Sequence, residues 1–169
     1  RTVLAHGVHL TEEELELLSR RGARIAHCPN SNLFLGSGLF PLHHVLASGV
    51  TVGLGSDIGA GTTPSMFNAM ADAYKVQQVQ NVSLSPFQLW YLATLGGAKA
   101  LSLDREIGSL EAGKSADFLA LDLRATPLLA MRIERASSVE DLLAALIFMG
   151  DDRAVQSAWI AGRQVRHRG

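Results

Sequence analysis

The sequence has only one cysteine, Cys28, among its 169 residues. A single thiol excludes an internal disulfide framework and is typical of a reducing compartment, so we expect a cytoplasmic protein. There is also no run of about 18 apolar residues, and the N-terminal residues do not resemble a signal peptide. We therefore expect no membrane association.

An excess of basic charge is absent as well. Fifteen Lys and Arg residues face sixteen Asp and Glu residues, which gives a formal net charge of −1 at pH 7. Such a chain has no surface suited to neutralising phosphates, so we do not expect nucleic acid as a partner. With 47% hydrophobic and 18% charged residues, the composition is typical of a globular α/β protein that buries a core.

Compact metal-binding motifs are missing too: the sequence has no His-x-His, no His-Glu-x-x-His and no Cys-x-x-Cys. Instead, three short apolar runs each end in a polar side chain that can bind a metal or carry a proton. These side chains are His6, His27 and Asp57. In a barrel or an open α/β sheet, the carboxyl ends of the strands meet at one edge, so we expect a shared site there.

Each of the three residues also has an ordinary structural interpretation. Asp57 could stabilise a turn, and His6 could be a packed, hydrogen-bonded side chain. The Cys28-Pro29 pair that follows His27 favours a structural role for this histidine. As chemistry, a histidine and an aspartate at neighbouring strand tips suit a mononuclear zinc hydrolase, but catalytic zinc needs about three protein ligands. The residues alone therefore predict half of a metal site.

The order of elements predicts two regions that divide near Asp104. Before it, the pattern is β-α-β-α-β-α-α, with a capping box at Thr11 and Glu14 and a turn-rich loop over residues 29–38. The predicted helices of this region cover residues 12–22, 39–48, 64–80 and 85–101. After Asp104 the sequence predicts a strand at 118–121, a helix at 139–149 and a hairpin over 155–166.

Taken together, the motifs resemble those of the amidohydrolase superfamily, and within it the guanine deaminase family. Three of them match barrel strands six, seven and eight of the superfamily: Leu4-Ala5-His6-Gly7, Ala26-His27-Cys28-Pro29-Asn30-Ser31-Asn32 and Gly53-Leu54-Gly55-Ser56-Asp57. The narrower resemblance is carried by four segments: residues 35–40, 57–63 with Met66, 92–98 and 150–153. The resemblance covers essentially the whole chain.

The resemblance implies hydrolytic deamination of guanine to xanthine and ammonia by a zinc-activated water, a reaction of purine catabolism. It implies that Asp57 binds Zn²⁺ and accepts a proton from the water. It also implies that His6 is a catalytic residue that orients the attack and stabilises charge. The family's other zinc ligands, its proton-shuttling glutamate and its purine-binding arginine and phenylalanine precede the segment matched here.

We therefore expect an α/β chain that forms the C-terminal part of a (β/α)8 barrel, strands six to eight, plus C-terminal strands of a small β-sandwich. The expected division is 1–104 for the barrel part and 105–169 for the sandwich part. The expected partners are guanine, water, the N-terminal part of the same enzyme and a second copy in a homodimer. The segment alone is expected to be inactive.

Two alternatives remain at this point. One is a related amidohydrolase that deaminates another aminated heterocycle. The other is a truncated, non-catalytic remnant that acts only in assembly.

Overall fold

The computed structural model describes residues 2–167. Three residues of the predicted regions lie outside the described residues: Arg1 at the start of the first region, and Arg168 and Gly169 at the end of the second. The strands are β1 Val3–Ala5, β2 Arg24–His27, β3 Thr51–Leu54, β4 Phe118–Leu121, β5 Val155–Ile160 and β6 Arg163–His167. The α-helices are α1 Glu12–Arg21, α2 Pro29–Leu35, α3 Leu42–Ala47, α4 Met66–Val79, α5 Pro86–Ala93, α6 Leu95–Leu101, α7 Pro127–Ile133 and α8 Val139–Met149, with a 3₁₀ turn at Asp152–Ala154.

The first sheet is parallel and has the order β1-β2-β3. Val3 pairs with Arg24, and Arg24 pairs with Thr51, so the three strands are in step along the sheet. Helices connect successive strands, as parallel strands require. The alternation predicted from the sequence is confirmed here, and it brings all three carboxyl ends to one edge.

Helix α1 begins and ends where the sequence signals predict. The hydroxyl of Thr11 accepts a hydrogen bond from the backbone N–H of Glu14, and the Glu14 carboxylate accepts one from the backbone N–H of Thr11. Gly22 ends the helix in the left-handed conformation, at φ 61°. A residue without Cβ adopts this conformation at little cost.

The loop prediction for residues 29–38 is wrong for residues 29–35, because α2 lies there. Pro29 occupies the first turn, where its missing N–H costs nothing, and Gly36 caps the other end at φ 66°. Asn and Ser are poor helix formers, so propensity alone disfavours this helix. Contacts with α4 and the side-chain hydrogen bonds of two asparagines, described below, stabilise it.

Two other helix predictions need correction, and one helix was missed. Helix α3 begins at Leu42 rather than residue 39, because Pro41 disfavours helical geometry at the residue before it. The single helix predicted over residues 85–101 is two helices that separate at Thr94, whose φ and ψ are −123° and −96°. Helix α7 was not predicted, although it begins with Thr126 as N-cap and a proline in its first turn.

The second sheet is antiparallel and has the order β4-β5-β6. The predicted hairpin is confirmed: Ala161 and Gly162 connect β5 to β6, and both have positive φ, 50° and 75°. Two successive residues in this region form the tight turn that matches the twist of the flanking strands. Trp159 stacks on Phe118 of β4 with ring centroids 4.5 Å apart.

The core lies between the parallel sheet and the surrounding helices. Its fully buried large side chains include Leu15, Ile25, Phe40, Met70 and Leu89. Helix α8 packs against α4 and α5 and adds Leu146 and Ile147 to this core. No helix within residues 2–167 has the length and apolar character needed to cross a membrane.

Strand β3 and helix α6 meet at two glycines. A Cβ added to Gly53 would lie 2.8 Å from Cα of Gly97 and 3.3 Å from Cβ of Ala100. Distances this short require the backbone to move. The break at Thr94 therefore allows α6 to lie directly on the strand that precedes Asp57.

We expect Gly53→Ala to lower the free energy of unfolding of the full-length protein by about 1–3 kcal/mol, the usual cost of overpacking. Gly97→Ala is the matched control, since a Cβ there meets nothing closer than the Leu92 carbonyl oxygen at 3.6 Å. In a helix that change is neutral or stabilising. Chemical denaturation of both variants checks this; equal stability of the two would contradict the close packing at Gly53.

Candidate active site

His6 and Asp57 lie together at the carboxyl edge of the parallel sheet. His6 directly follows β1, and its backbone N–H donates to the Ala26 carbonyl at 3.0 Å. Asp57 follows β3 by three residues. Two strands with another strand between them are roughly 10 Å apart. Nevertheless, Nε2 of His6 on the β1 side lies 3.6 Å from Oδ2 of Asp57 on the β3 side. The two side chains therefore meet across the tip of β2.

Both residues adopt a backbone conformation that is rare for side chains other than glycine. Their φ angles are 69° for His6 and 48° for Asp57. The carbonyl of Asp57 accepts hydrogen bonds from the N–H groups of Ala60 and Gly61, which close a tight turn after it. Such residues occur where surrounding structure fixes them, and they concentrate at functional sites.

The facing side chains are reachable from solvent. The His6 side chain is 38% exposed and the Asp57 side chain 33% exposed. A small molecule can therefore approach the two polar groups from outside. The buried residues of the strands hold them from below, with Ile25 and Val52 almost inaccessible.

Asn32 on helix α2 is the residue at this site that sequence reasoning missed. Its Oδ1 atom accepts a hydrogen bond from Nδ1 of His6 at 2.8 Å. With Nδ1 as the donor, Nε2 is the nitrogen that faces Asp57. The only sequence signal was the position of Asn32 in the segment that follows a strand ending in histidine.

Asn30, two residues earlier, holds the loop that follows Asp57. Its Oδ1 accepts hydrogen bonds from the backbone N–H of Thr62 at 2.5 Å and from the Thr62 hydroxyl at 2.9 Å. Its Nδ2 donates to the Asp72 carboxylate on α4 at 2.9 Å. The first turn of α2 therefore contacts both His6 and the loop of Asp57.

His27 does not join this site. Its ring is fully buried and stacks on Phe40 with centroids 4.5 Å apart, and neither ring nitrogen has a hydrogen-bond partner among the described residues. Burial, with a smaller contribution from the charge of His6, lowers the pKa of His27 to about 3. The structural role favoured by the sequence fits this environment.

The buried imidazole predicts a stability that depends on pH. Its pKa rises from about 3 in the folded protein to about 6.5 on unfolding, so below pH 6.5 only the unfolded state takes up this proton. Its contribution is complete above pH 6.5 and is lost as the pH falls toward 3. At pH 4.5 we expect a loss of about 2–3 kcal/mol from this group.

Denaturation of the full-length protein between pH 7.5 and 4.5 measures this loss. His27→Phe should flatten the dependence, while His43→Gln, at an exposed histidine, should leave it unchanged. A wild-type slope retained in His27→Phe would refute the assignment to His27.

The sequence pattern of the amidohydrolase family matches residues 1–165. The chain belongs to the amidohydrolase family. Its α/β fold is accordingly the amidohydrolase fold, consistent with the C-terminal part of a TIM-barrel enzyme.

Among curated amidohydrolase relatives, the chain is 48% identical to guanine deaminase from Escherichia coli over 166 residues, which cover 98% of this chain and 38% of that protein. The crystal structure of E. coli guanine deaminase matches with a TM-score of 0.96 at 47% identity, covering 99% of this chain and 39% of that one. The chain thus spans about 38% of the length of the curated relatives it matches.

Two further solved structures contain ligands. Guanine deaminase from C. acetobutylicum, with guanine bound in its active site, matches with a TM-score of 0.86 at 32% identity, covering 98% of this chain and 39% of that one. An adenosine deaminase from Xanthomonas campestris with bound zinc matches with a TM-score of 0.83 at 34% identity, covering 96% of this chain and 36% of that one.

The donor atoms of this amidohydrolase chain fit part of a zinc site. A carboxylate and an imidazole nitrogen, which are common zinc ligands, face the same space at the strand tips. Within the described ranges, no group of three or more His, Cys, Asp or Glu side chains converges as a metal site would require. Residues 2–167 therefore hold at most part of a metal site.

Cys28 lies near the site without the properties of a ligand. Burial, and to a lesser degree the charge of Asp57, raises the pKa of the Cys28 thiol. The thiol donates a hydrogen bond to the Ala26 carbonyl at 3.4 Å. Since metals bind the thiolate, a thiol whose pKa is raised is a poor candidate.

Proposed function

We propose that this chain is the C-terminal part of a zinc-dependent guanine deaminase, which converts guanine and water to xanthine and ammonia in purine catabolism. The observation that carries the proposal is the meeting of His6 and Asp57 across the tip of β2, with Nε2 and Oδ2 3.6 Å apart. It stands in a chain 48% identical to a guanine deaminase. Active sites of barrel enzymes lie at this edge.

Asp57 is the residue that would hold the metal. A zinc ion supplies a water nucleophile at neutral pH, because the metal lowers the pKa of water to about 7. The Asp57 carboxylate accepts a proton from the attacking water. The new C–O bond forms at the ring carbon that bears the amino group. The proton taken from the water is passed to the leaving nitrogen, a transfer that the family resemblance assigns to a glutamate in the N-terminal part of the enzyme. The C–N bond then breaks, and ammonia leaves.

His6 acts on the charge that develops during this attack. Its Nδ1 donates to Asn32, which leaves Nε2 to face the site beside Asp57. A hydrogen-bond donor fixed in place before the reaction stabilises a developing negative charge. We assign His6 this orienting and electrostatic role, and not that of a metal ligand.

In this proposal β1, β2 and β3 are barrel strands six, seven and eight, and β4 to β6 belong to a small β-sandwich. The separation of the chain into a parallel and an antiparallel sheet supports a division into 1–104 and 105–169, with α8 of the second part packed against α4 and α5 of the first. On the outer strand β1, the apolar residues Val3 and Leu4 are 40% and 39% exposed. The N-terminal part of the enzyme would pair with this strand and supply the remaining zinc ligands.

We propose a homodimer, as the family resemblance implies, and a cytoplasmic location, since the only cysteine is a free thiol. Light scattering of the full-length protein tests the dimer directly.

An assay of the full-length protein supplied with zinc tests the proposed activity. Loss of guanine, followed by its ultraviolet absorbance, should occur with release of one ammonia per guanine. A panel of other aminated heterocycles, including adenosine and aminated triazines, separates the proposal from a related amidohydrolase. Turnover of another member of the panel in place of guanine would refute the substrate assignment, and no turnover of any member would favour a non-catalytic remnant.

Residues 1–169 expressed alone are expected neither to bind zinc tightly nor to deaminate guanine. Residues 2–167 offer fewer than the roughly three protein ligands that catalytic zinc requires. Within the same range no strand pairs with the outer edge of β1, and such an edge favours association. Co-expression with the N-terminal part should restore activity. Zinc-dependent turnover by the isolated segment as a stable monomer would contradict this expectation.

A further inference from the structure

Helix α2 directly follows the tip of β2, and the proposed chemistry assigns no role to it. Three residues of its first turn are buried: Pro29, Ser31 and Asn32. Its Asn32 is only 2% exposed. The backbone N–H of Asn32 donates to the Cys28 carbonyl at 3.0 Å, and its carbonyl accepts from the N–H of Ser37 at 2.9 Å. Asn32 is thus held from both sides within the fold.

The ring of His6 has no comparable support from packing. Its side chain is 38% exposed. An imidazole in such a place can rotate and exchange the positions of its nitrogen and carbon atoms. The hydrogen bond from Nδ1 to Oδ1 of Asn32 at 2.8 Å selects one orientation.

We propose that Asn32 is a positioning residue for catalysis: its buried amide oxygen fixes the ring of His6 with Nδ1 as donor, so that Nε2 faces the reaction space beside Asp57. This inference rests on the proposed function and extends it to a residue that acts through His6. It assigns the amide, not the neighbouring backbone, as the feature that sets the ring.

The second half of the Asn32 amide argues against a purely structural role. Its Nδ2 is buried and has no hydrogen-bond partner within residues 2–167. A buried donor without a partner lowers stability, and an apolar side chain of the same shape would avoid that loss. The fold alone therefore gives no reason to place an amide at this position, whereas the contact with His6 does.

Enzyme kinetics on the full-length, zinc-loaded protein test the role with guanine as substrate. Asn32→Leu removes the acceptor and keeps the volume, so kcat should fall by about 10- to 100-fold, the scale found when a partner that orients a metal-binding histidine is removed. KM and the thermal unfolding midpoint should stay near wild-type values. Asn32→Asp keeps an oxygen acceptor and should retain kcat.

Ser31→Ala is the matched control, since Ser31 is fully buried in the same turn and its hydroxyl is unpartnered among the described residues. It should leave kcat unchanged. Wild-type kcat in Asn32→Leu, or an equal loss in Ser31→Ala, would overturn the proposal.

A spectroscopic measurement keeps the inference separate from the activity and from the folding of any Asn32 variant. In wild-type protein labelled with ¹⁵N-histidine, with His6→Asn for assignment, the Nδ1 resonance of His6 should be that of a nitrogen carrying hydrogen. A bare Nδ1 would overturn the proposal even if guanine is turned over. A hydrogen-bearing Nδ1 without guanine turnover would support the placement and refute the proposed function instead.

Discussion

Asp57→Ala in the full-length protein is expected to abolish guanine turnover and to lower the zinc content below one ion per subunit. Asp57 is the one residue of the chain that we assign as a metal ligand. Its carboxylate faces Nε2 of His6 at 3.6 Å. Its loss removes both a zinc ligand and the proton acceptor for water. Metal analysis and a guanine assay on the same preparation measure both effects.

A matched variant separates this chemistry from backbone strain. Asp57 has φ 48°, a conformation that costs alanine about 1–2 kcal/mol but that asparagine adopts readily. Asp57→Asn therefore keeps the turn and removes the charge, and it should be as inactive as Asp57→Ala. Full activity and one zinc per subunit in Asp57→Asn would refute the role of the carboxylate.

His6→Ala should lower kcat by about 100-fold or more, the scale found when a group that stabilises an oxyanion is removed, while the zinc content is retained. The reason is that His6 is assigned to charge stabilisation and not to the metal. Its φ of 69° again makes asparagine the better backbone match, so His6→Asn should behave in the same way. Loss of zinc together with activity in both variants would instead make His6 a metal ligand.

The sequence predicted the elements whose signals are local. The capping box at Thr11, the helix over 139–149 and the glycine of the hairpin turn each depend on residues a few positions apart, and each is confirmed. The three strand tips were also found, because an apolar run that ends in a polar residue is visible within about six positions.

The missed features depend on contacts between distant parts of the chain. Helix α2 consists of residues with low helix propensity and is stabilised by α4 and by hydrogen bonds that the sequence does not display. The break at Thr94 reflects the close approach of Gly97 to Gly53, which lies in another element. Asn32 meets His6 across 26 positions, a pairing that requires the register of β1 against β2.

The glycine contact between β3 and α6 has a mechanical consequence. Most helices rest on a sheet through side chains, which can change rotamer and absorb a small displacement of the helix. Between Gly53 and Gly97 there are no side chains to do so. A shift of α6, whether from a substitution on its outer face or from a bound molecule, should pass directly to β3 and move the carboxylate at its tip.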